Sequence, residues 1–270
     1  MNFVLYIDIF KSMLIINTES VFYFIIKDGD FMFGFISILL AAFTQGITGF
    51  GFALIAVPLL SLFIPEIRNI TPIIVIYSLL TNIIIVYKSR NYIDFKKIIP
   101  LILFGIIGTP IGTYILLYVK VSNLKIIIGL VTSITALAMF KNFKVKIKNQ
   151  NVSYGIVGLL SGLLNGSTGL SGPPVVLFLT NQNTDKDVFR ANLSFYGIAT
   201  NIFAIIVFII GGIINPSVLN FTILYLPALI IGVFSGIKIS TKINESIFRN
   251  ITIGLISLLG FYTFISTLLS

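Results

Sequence analysis

A chain of 270 residues in which 57% are apolar, before 22 Gly are counted, and 10% are charged is not a water-soluble globule, whose share of charged residues is roughly 25%. Its Lys and Arg, 18 against 9 Asp and Glu for a net charge of +9, lie between hydrophobic segments rather than in a basic domain, which argues for membrane loops and against nucleic acid. Neither Cys nor His occurs, so disulfides, thiol catalysis, haem ligation and imidazole relays are excluded, and the remaining chemistry belongs to hydroxyls, amides, backbone and charge.

Residues 1–31 read as an N-terminal leader. Asp8, Lys11 and Glu19 interrupt its apolar runs and no small-residue cleavage site follows, so it is expected to be an interfacial segment or upstream translation absent from the mature protein, not a cleaved signal peptide. From residue 32 the charges cluster between apolar stretches long enough to cross a hydrocarbon core of about 30 Å at about 1.5 Å per helical residue. Eight such blocks fall at 32–64, 71–87, 98–118, 122–140, 152–180, 190–214, 217–237 and 247–269. The polar run Lys141 to Asn151 divides them four and four. The expected organisation is a first membrane repeat over 32–140, a basic cytoplasmic linker over 141–151 and a second repeat over 152–270.

The two halves match in register. A shift of 120 positions lays Gln45-Gly46-Ile47-Thr48-Gly49 on Asn165-Gly166-Ser167-Thr168-Gly169, and a shift of 119 lays Thr81-Asn82 on Thr200-Asn201. Shifts of 122 and 124 lay Arg68 on Arg190 and Gly108-x-x-x-Gly112 on Gly232-x-x-x-Gly236. An internal duplication of this kind recurs in secondary transporters.

Blocks one and five break in the same place. Gln45-Gly46-Ile47-Thr48-Gly49-Phe50-Gly51 and Asn165-Gly166-Ser167-Thr168-Gly169-Leu170-Ser171-Gly172-Pro173-Pro174 are too rich in Gly and Pro for a regular helix. At membrane depth such backbone survives only where protein or a water-filled cavity satisfies it. Two readings stand. Clustered Gly lets backbone N–H groups converge on an anion, with help from helix N-termini and from Gln45, Thr48, Asn165, Ser167, Thr168 and Ser171; alternatively, the small residues only pack helices. Asn82 and Asn201 are isolated polar groups within blocks two and six, either substrate ligands or interhelical hydrogen bonds. Gly108-x-x-x-Gly112 and Gly232-x-x-x-Gly236 read as helix contacts, and Arg68 and Arg190 as topology markers or anion attractors.

Charge fixes the expected topology. If all eight blocks cross, the basic residues divide 10 against 8, without bias; if blocks one and five are re-entrant, they divide 13 against 5. The re-entrant arrangement restores positive-inside. Each half then has one hairpin and three crossings, an odd number, so the fold class is all-α, a polytopic membrane protein of two inverted repeats, each with a broken first helix plus three transmembrane helices.

The paired breaks, Gln45 to Leu60 and Gly162 to Val176, with Asp185-Lys186-x-x-Phe189-Arg190-Ala191 downstream, resemble the TauE/SafE sulfite exporter family, the TSUP anion permeases, over residues 32–269. The resemblance implies a cell-membrane permease or exporter of small anions such as sulfite, an organosulfonate or a related oxyanion; the lack of Cys, His and buried carboxylate removes most catalytic options, so no enzymatic role and no cofactor are expected. Ser171 stands where the family usually has Gly, and the cysteines of thiosulfate-handling relatives have no counterpart here. The substrate-binding set is expected to be Gln45, Gly46, Thr48, Gly49, Gly51, Asn82, Asn165, Gly166, Ser167, Thr168, Gly169, Ser171, Gly172 and Asn201, with the lipid bilayer as the other partner. The blocks lack internal carboxylates, the usual carriers of proton or sodium coupling. A non-transport assembly or scaffold protein is the alternative.

Overall fold

The structure, a computed structural model, describes residues 30–62, 64, 66–140, 150–180, 182 and 185–240. Most of the leader, most of the linker and the eighth block lie outside these residues. The described residues form the helices α1 (Asp30–Thr48), α2 (Phe52–Leu60), α3 (Ile67–Ser89), α4 (Phe95–Tyr118), α5 (Val121–Phe140), α6 (Gln150–Thr168), α7 (Gly172–Thr180), α8 (Lys186–Ile210), α9 (Pro216–Leu224) and α10 (Leu226–Ser240), with a 3₁₀ turn at Arg90–Tyr92.

The breaks are shorter than the sequence suggests. Gln45 to Thr48 and Asn165 to Thr168 remain helical, and the chain leaves helix only at Gly49 and Gly169. A glycine inside a helix costs about 1 kcal/mol relative to alanine, and here close packing offsets it: Gly46 lies against Val233 and Gly236 of α10, and Gly166 against Thr109, Gly112 and Thr113 of α4.

After the second break the chain turns back. Ser161 Oγ donates to the carbonyl of Ser171, and the Tyr154 and Phe178 rings meet at 5.1 Å. Tyr154 lies in the first turns of α6 and Phe178 near the end of α7, so the two helices form a hairpin whose ends share a side. In the first half α2 packs on α1 and α3.

Between halves the packing is reciprocal. The third long helix of each half lies against the first helix of the other, α4 on α6 and α10 on α1, while α3 and α8 pair with each other. Lipid tails give apolar helices no reason to associate, so such pairs depend on close van der Waals fit between small residues. The four glycines Gly155, Gly158, Gly162 and Gly166 line the face of α6 toward α4. Gly108, Gly112, Gly232 and Gly236, expected as helix contacts, are contacts: a Cβ on Gly232 would lie 2.5 Å from the Leu39 carbonyl.

Four helices, α1, α3, α4 and α8, are long and apolar enough to cross a membrane, and the bent pair α9 and α10 makes up to five. The chain is a multi-pass membrane protein. Its outer faces carry large exposed apolar side chains, Leu103, Ile107 and Ile111 on α4 and Ile206, Ile209 and Ile210 on α8, which suit lipid. One departure from the expected single span is the 48° bend between α9 and α10. Pro227 stands three residues after the last residue of α9 and has no N–H to continue the hydrogen-bond ladder. Tyr77 Oη of α3 donates to the carbonyls of Phe221 and Thr222 at 3.1 and 2.8 Å, occupying acceptors at the end of α9.

Candidate functional site

Both breaks contribute to one cavity of about 40 Å³. Gly49, Phe50 and Gly51 come from the first, and Gly169, Ser171, Gly172 and Pro173 from the second; Ser78 and Asn82 of α3 and Leu193, Tyr196 and Gly197 of α8 complete its walls. At roughly 10–15 Å³ for each water-sized occupant, it has room for about three waters or one anion of a few heavy atoms. No charged residue lines it among the described residues.

Two backbone turns build the site. Gly51 has φ +96° and Gly169 φ +75°, in the left-handed region that costs L-residues with a side chain roughly 1–2 kcal/mol. At the first turn the chain enters α2 directly, with no side chain capping its N-terminus. The first N–H groups of a helix lack intrahelical partners and carry partial positive charge. Phe52, Ala53 and Leu54, the first residues of α2, all line the cavity. At the entry to α7, Pro173 and Pro174 have no N–H, which leaves Gly172 and Val175 as backbone donors in that first turn.

The side chains around the turns hold them in place. Gln45 Nε2 donates to Asn82 Oδ1 at 2.7 Å, joining α1 to α3 beside the cavity. Tyr196 Oη donates to Ser161 Oγ at 2.7 Å, and Ser161 in turn holds the Ser171 carbonyl. Arg190 donates through Nη2 to the Gly46 carbonyl at 2.8 Å and through Nη1 to Ser240 Oγ at 3.3 Å. The neighbouring Phe189 ring meets Phe50 edge-on at 6.1 Å. The Phe-Arg-Ala segment thus braces the tip of the first hairpin. Arg68 donates to the Leu116 and Leu117 carbonyls at 3.2 and 2.9 Å, where it satisfies the end of α4.

Of the residues expected to bind substrate, Gln45, Gly49, Gly51, Asn82, Gly169, Ser171 and Gly172 line the cavity. The others are placed elsewhere. Gly46 and Gly166 face neighbouring helices. Thr48 Oγ1 donates to the Thr44 carbonyl at 2.8 Å and the Phe50 carbonyl at 2.6 Å, Ser167 Oγ to Leu163 at 2.7 Å, and Thr168 Oγ1 to Leu164 at 3.0 Å. These hydroxyls serve the backbone. Asn165 of α6, against α8, and Asn201 of α8 itself are buried and outside the lining. Ser78 and Tyr196 were not anticipated; Ser78 lies one helical turn before Asn82, and that i, i+4 spacing was the available signal.

Compared with known proteins, residues 34–263 match the family model described as Sulfite exporter TauE/SafE. No curated protein and no solved structure matches the chain.

Proposed function

We propose that this chain, which belongs to the sulfite exporter TauE/SafE family, moves a small inorganic oxyanion, sulfite being the leading candidate, across the cell membrane through the cavity at its two breaks. The observation that carries the reading is a neutral pocket lined by the first residues of α2, whose N-terminus no side chain caps, with Ser171 and Ser78 in its wall. A fixed Lys or Arg at that depth would be costly when no ligand is bound, whereas backbone N–H dipoles and hydroxyls attract an anion without a permanent buried charge. The volume favours sulfite over an organosulfonate, whose carbon chain adds heavy atoms to a site already filled by a few.

Alternating access follows if the repeats are inverted, because the two broken helices then approach the midplane from opposite sides. The 13 to 5 division of basic residues supports that arrangement. A cysteine placed at Lys146 in this Cys-free chain is expected to resist impermeant thiol reagents in whole cells and to react in inside-out vesicles; labelling from outside refutes the topology.

The direct test is sulfite flux in proteoliposomes. Reconstituted protein is expected to accelerate sulfite exit above empty vesicles, and no acceleration for sulfite or any other small oxyanion tested would refute the proposal. Ser171→Ala removes one donor to the anion, a bond worth about 1.5–3 kcal/mol when the partner is charged. Its expected signature is a rise of roughly 10-fold or more in the sulfite concentration giving half-maximal flux, with protein yield unchanged.

A further inference from the structure

The repeats diverge where their sequences correspond most closely. Positions 45 and 82 of the first half match 165 and 201 of the second. In the first half the two amides close on each other, Gln45 Nε2 to Asn82 Oδ1 at 2.7 Å, which leaves Gln45 Oε1 without a partner. Asn165 is one methylene shorter than Gln45. Its Nδ2 donates instead to the backbone carbonyl of Thr200, the residue before Asn201, at 3.4 Å. That bond orients the amide, because only the NH₂ end can face a carbonyl, so Oδ1 points away from it. Asn165 Oδ1 and both side-chain atoms of Asn201 have no partner, in residues 0% and 1% exposed. Buried amide atoms are costly when unmet, and these three belong to residues that the Asn165–Thr200 bond brings to neighbouring turns of α6 and α8.

The surrounding field selects its charge. Asn165 stands in the last turn of α6, the negative end of that helix dipole. The equivalent end of α1 is met by a cation from the protein, Arg190 on the Gly46 carbonyl at 2.8 Å. Arg68, the counterpart of Arg190, donates to Leu116 and Leu117 of α4 instead. The end of α6 therefore combines a negative dipole with the unmet Asn165 Oδ1, and it is not served by Arg68 as α1 is by Arg190.

We propose that Asn165, in the last turn of α6, and Asn201 of α8 hold a monovalent alkali cation that travels with the anion. The inference rests on the proposed transport function. Neutral oxygen ligands suit a hard cation, half-helix C-termini hold coupling ions in other transporter folds, and Asn201, unpartnered, can present Oδ1 in either amide orientation. Gly169, Ser171 and Gly172 of the anion cavity follow Asn165 within seven residues, so a cation held there offsets the anion's charge. Coupling then needs no membrane carboxylate, consistent with blocks that contain none internally.

Thermal unfolding of the purified protein in NaCl, KCl and choline chloride at equal ionic strength tests cation binding apart from transport. A saturable rise in Tm of several degrees is expected in NaCl or KCl over choline, and Asn201→Leu is expected to abolish it. In proteoliposomes, sulfite flux is expected to fall at least 10-fold when choline replaces the alkali cation, and Asn201→Leu to flatten that dependence. Identical Tm in all three salts with cation-independent flux overturns the cation site and leaves the anion transporter standing. A cation-specific Tm with no flux of any oxyanion supports the site and overturns the transport function.

Discussion

Gly162→Ala is expected to lower the stability of the detergent-solubilised protein by about 2 kcal/mol or more, at the upper end of the usual cost of overpacking, and to reduce the yield of monodisperse protein sharply. Intrinsic propensity predicts the opposite sign, since alanine in a helix interior is favoured over glycine by about 1 kcal/mol. Geometry decides the sign. A Cβ at Gly162 would overlap the carbonyl of Gly105 on α4, and backbone cannot rotate aside as a side chain can. The helices must separate along a seam that includes Gly108, Gly112, Gly158 and Gly166, in a solvent that supplies no hydrophobic force to hold them. Gly155→Ala is the matched control. It lies on the same face of α6, where the added methyl would meet the Phe104 ring at 3.5 Å, an ordinary contact. That variant should be neutral or slightly stabilised in thermal unfolding; equal losses at both positions would show that the seam does not carry the fold.

The seam was legible in the sequence as Gly108-x-x-x-Gly112 and Gly232-x-x-x-Gly236, because small residues at that spacing have one dominant use between membrane helices. The breaks were legible as well, through their Gly and Pro. Their internal order was not. Thr48, Ser167 and Thr168 have hydroxyls suited to an anion, and composition cannot tell whether such a group faces a ligand or the carbonyl of its own preceding turn. The structure places all three on carbonyls, the local competition common to Ser and Thr within helices. Ser78 and Tyr196 escaped notice for the converse reason: nothing in a single chain reveals which face of α3 or α8 turns toward a cavity until α3 and α8 are seen to pair. The bend at Pro227 was readable in principle, yet proline is tolerated within α2, α3 and α4. What distinguishes the bend is Tyr77, distant in sequence, on the carbonyls of Phe221 and Thr222.

Gly172→Ala is expected to cut sulfite flux by at least 10-fold while leaving Tm unchanged or slightly raised. The position separates binding from folding better than the other glycines of the breaks. At Gly51 and Gly169 an alanine would be strained by positive φ, so lost transport there could follow from a distorted turn. Gly172 has no positive φ, and a Cβ built on it meets nothing within 4 Å. The methyl enters the cavity itself. In a space for about three waters, it takes roughly one share and stands beside the N–H of the first residue of α7, where an anion must approach the backbone closely. The loss corresponds to about 1.4 kcal/mol or more of binding free energy, close to one hydrogen bond to a charged partner. A larger substrate should be excluded more strongly than a smaller one, so the ratio of sulfite flux to that of a smaller anion is expected to fall in the variant. Full sulfite flux with the methyl in place would mean that the anion passes elsewhere, and the two breaks would then be assigned to packing alone.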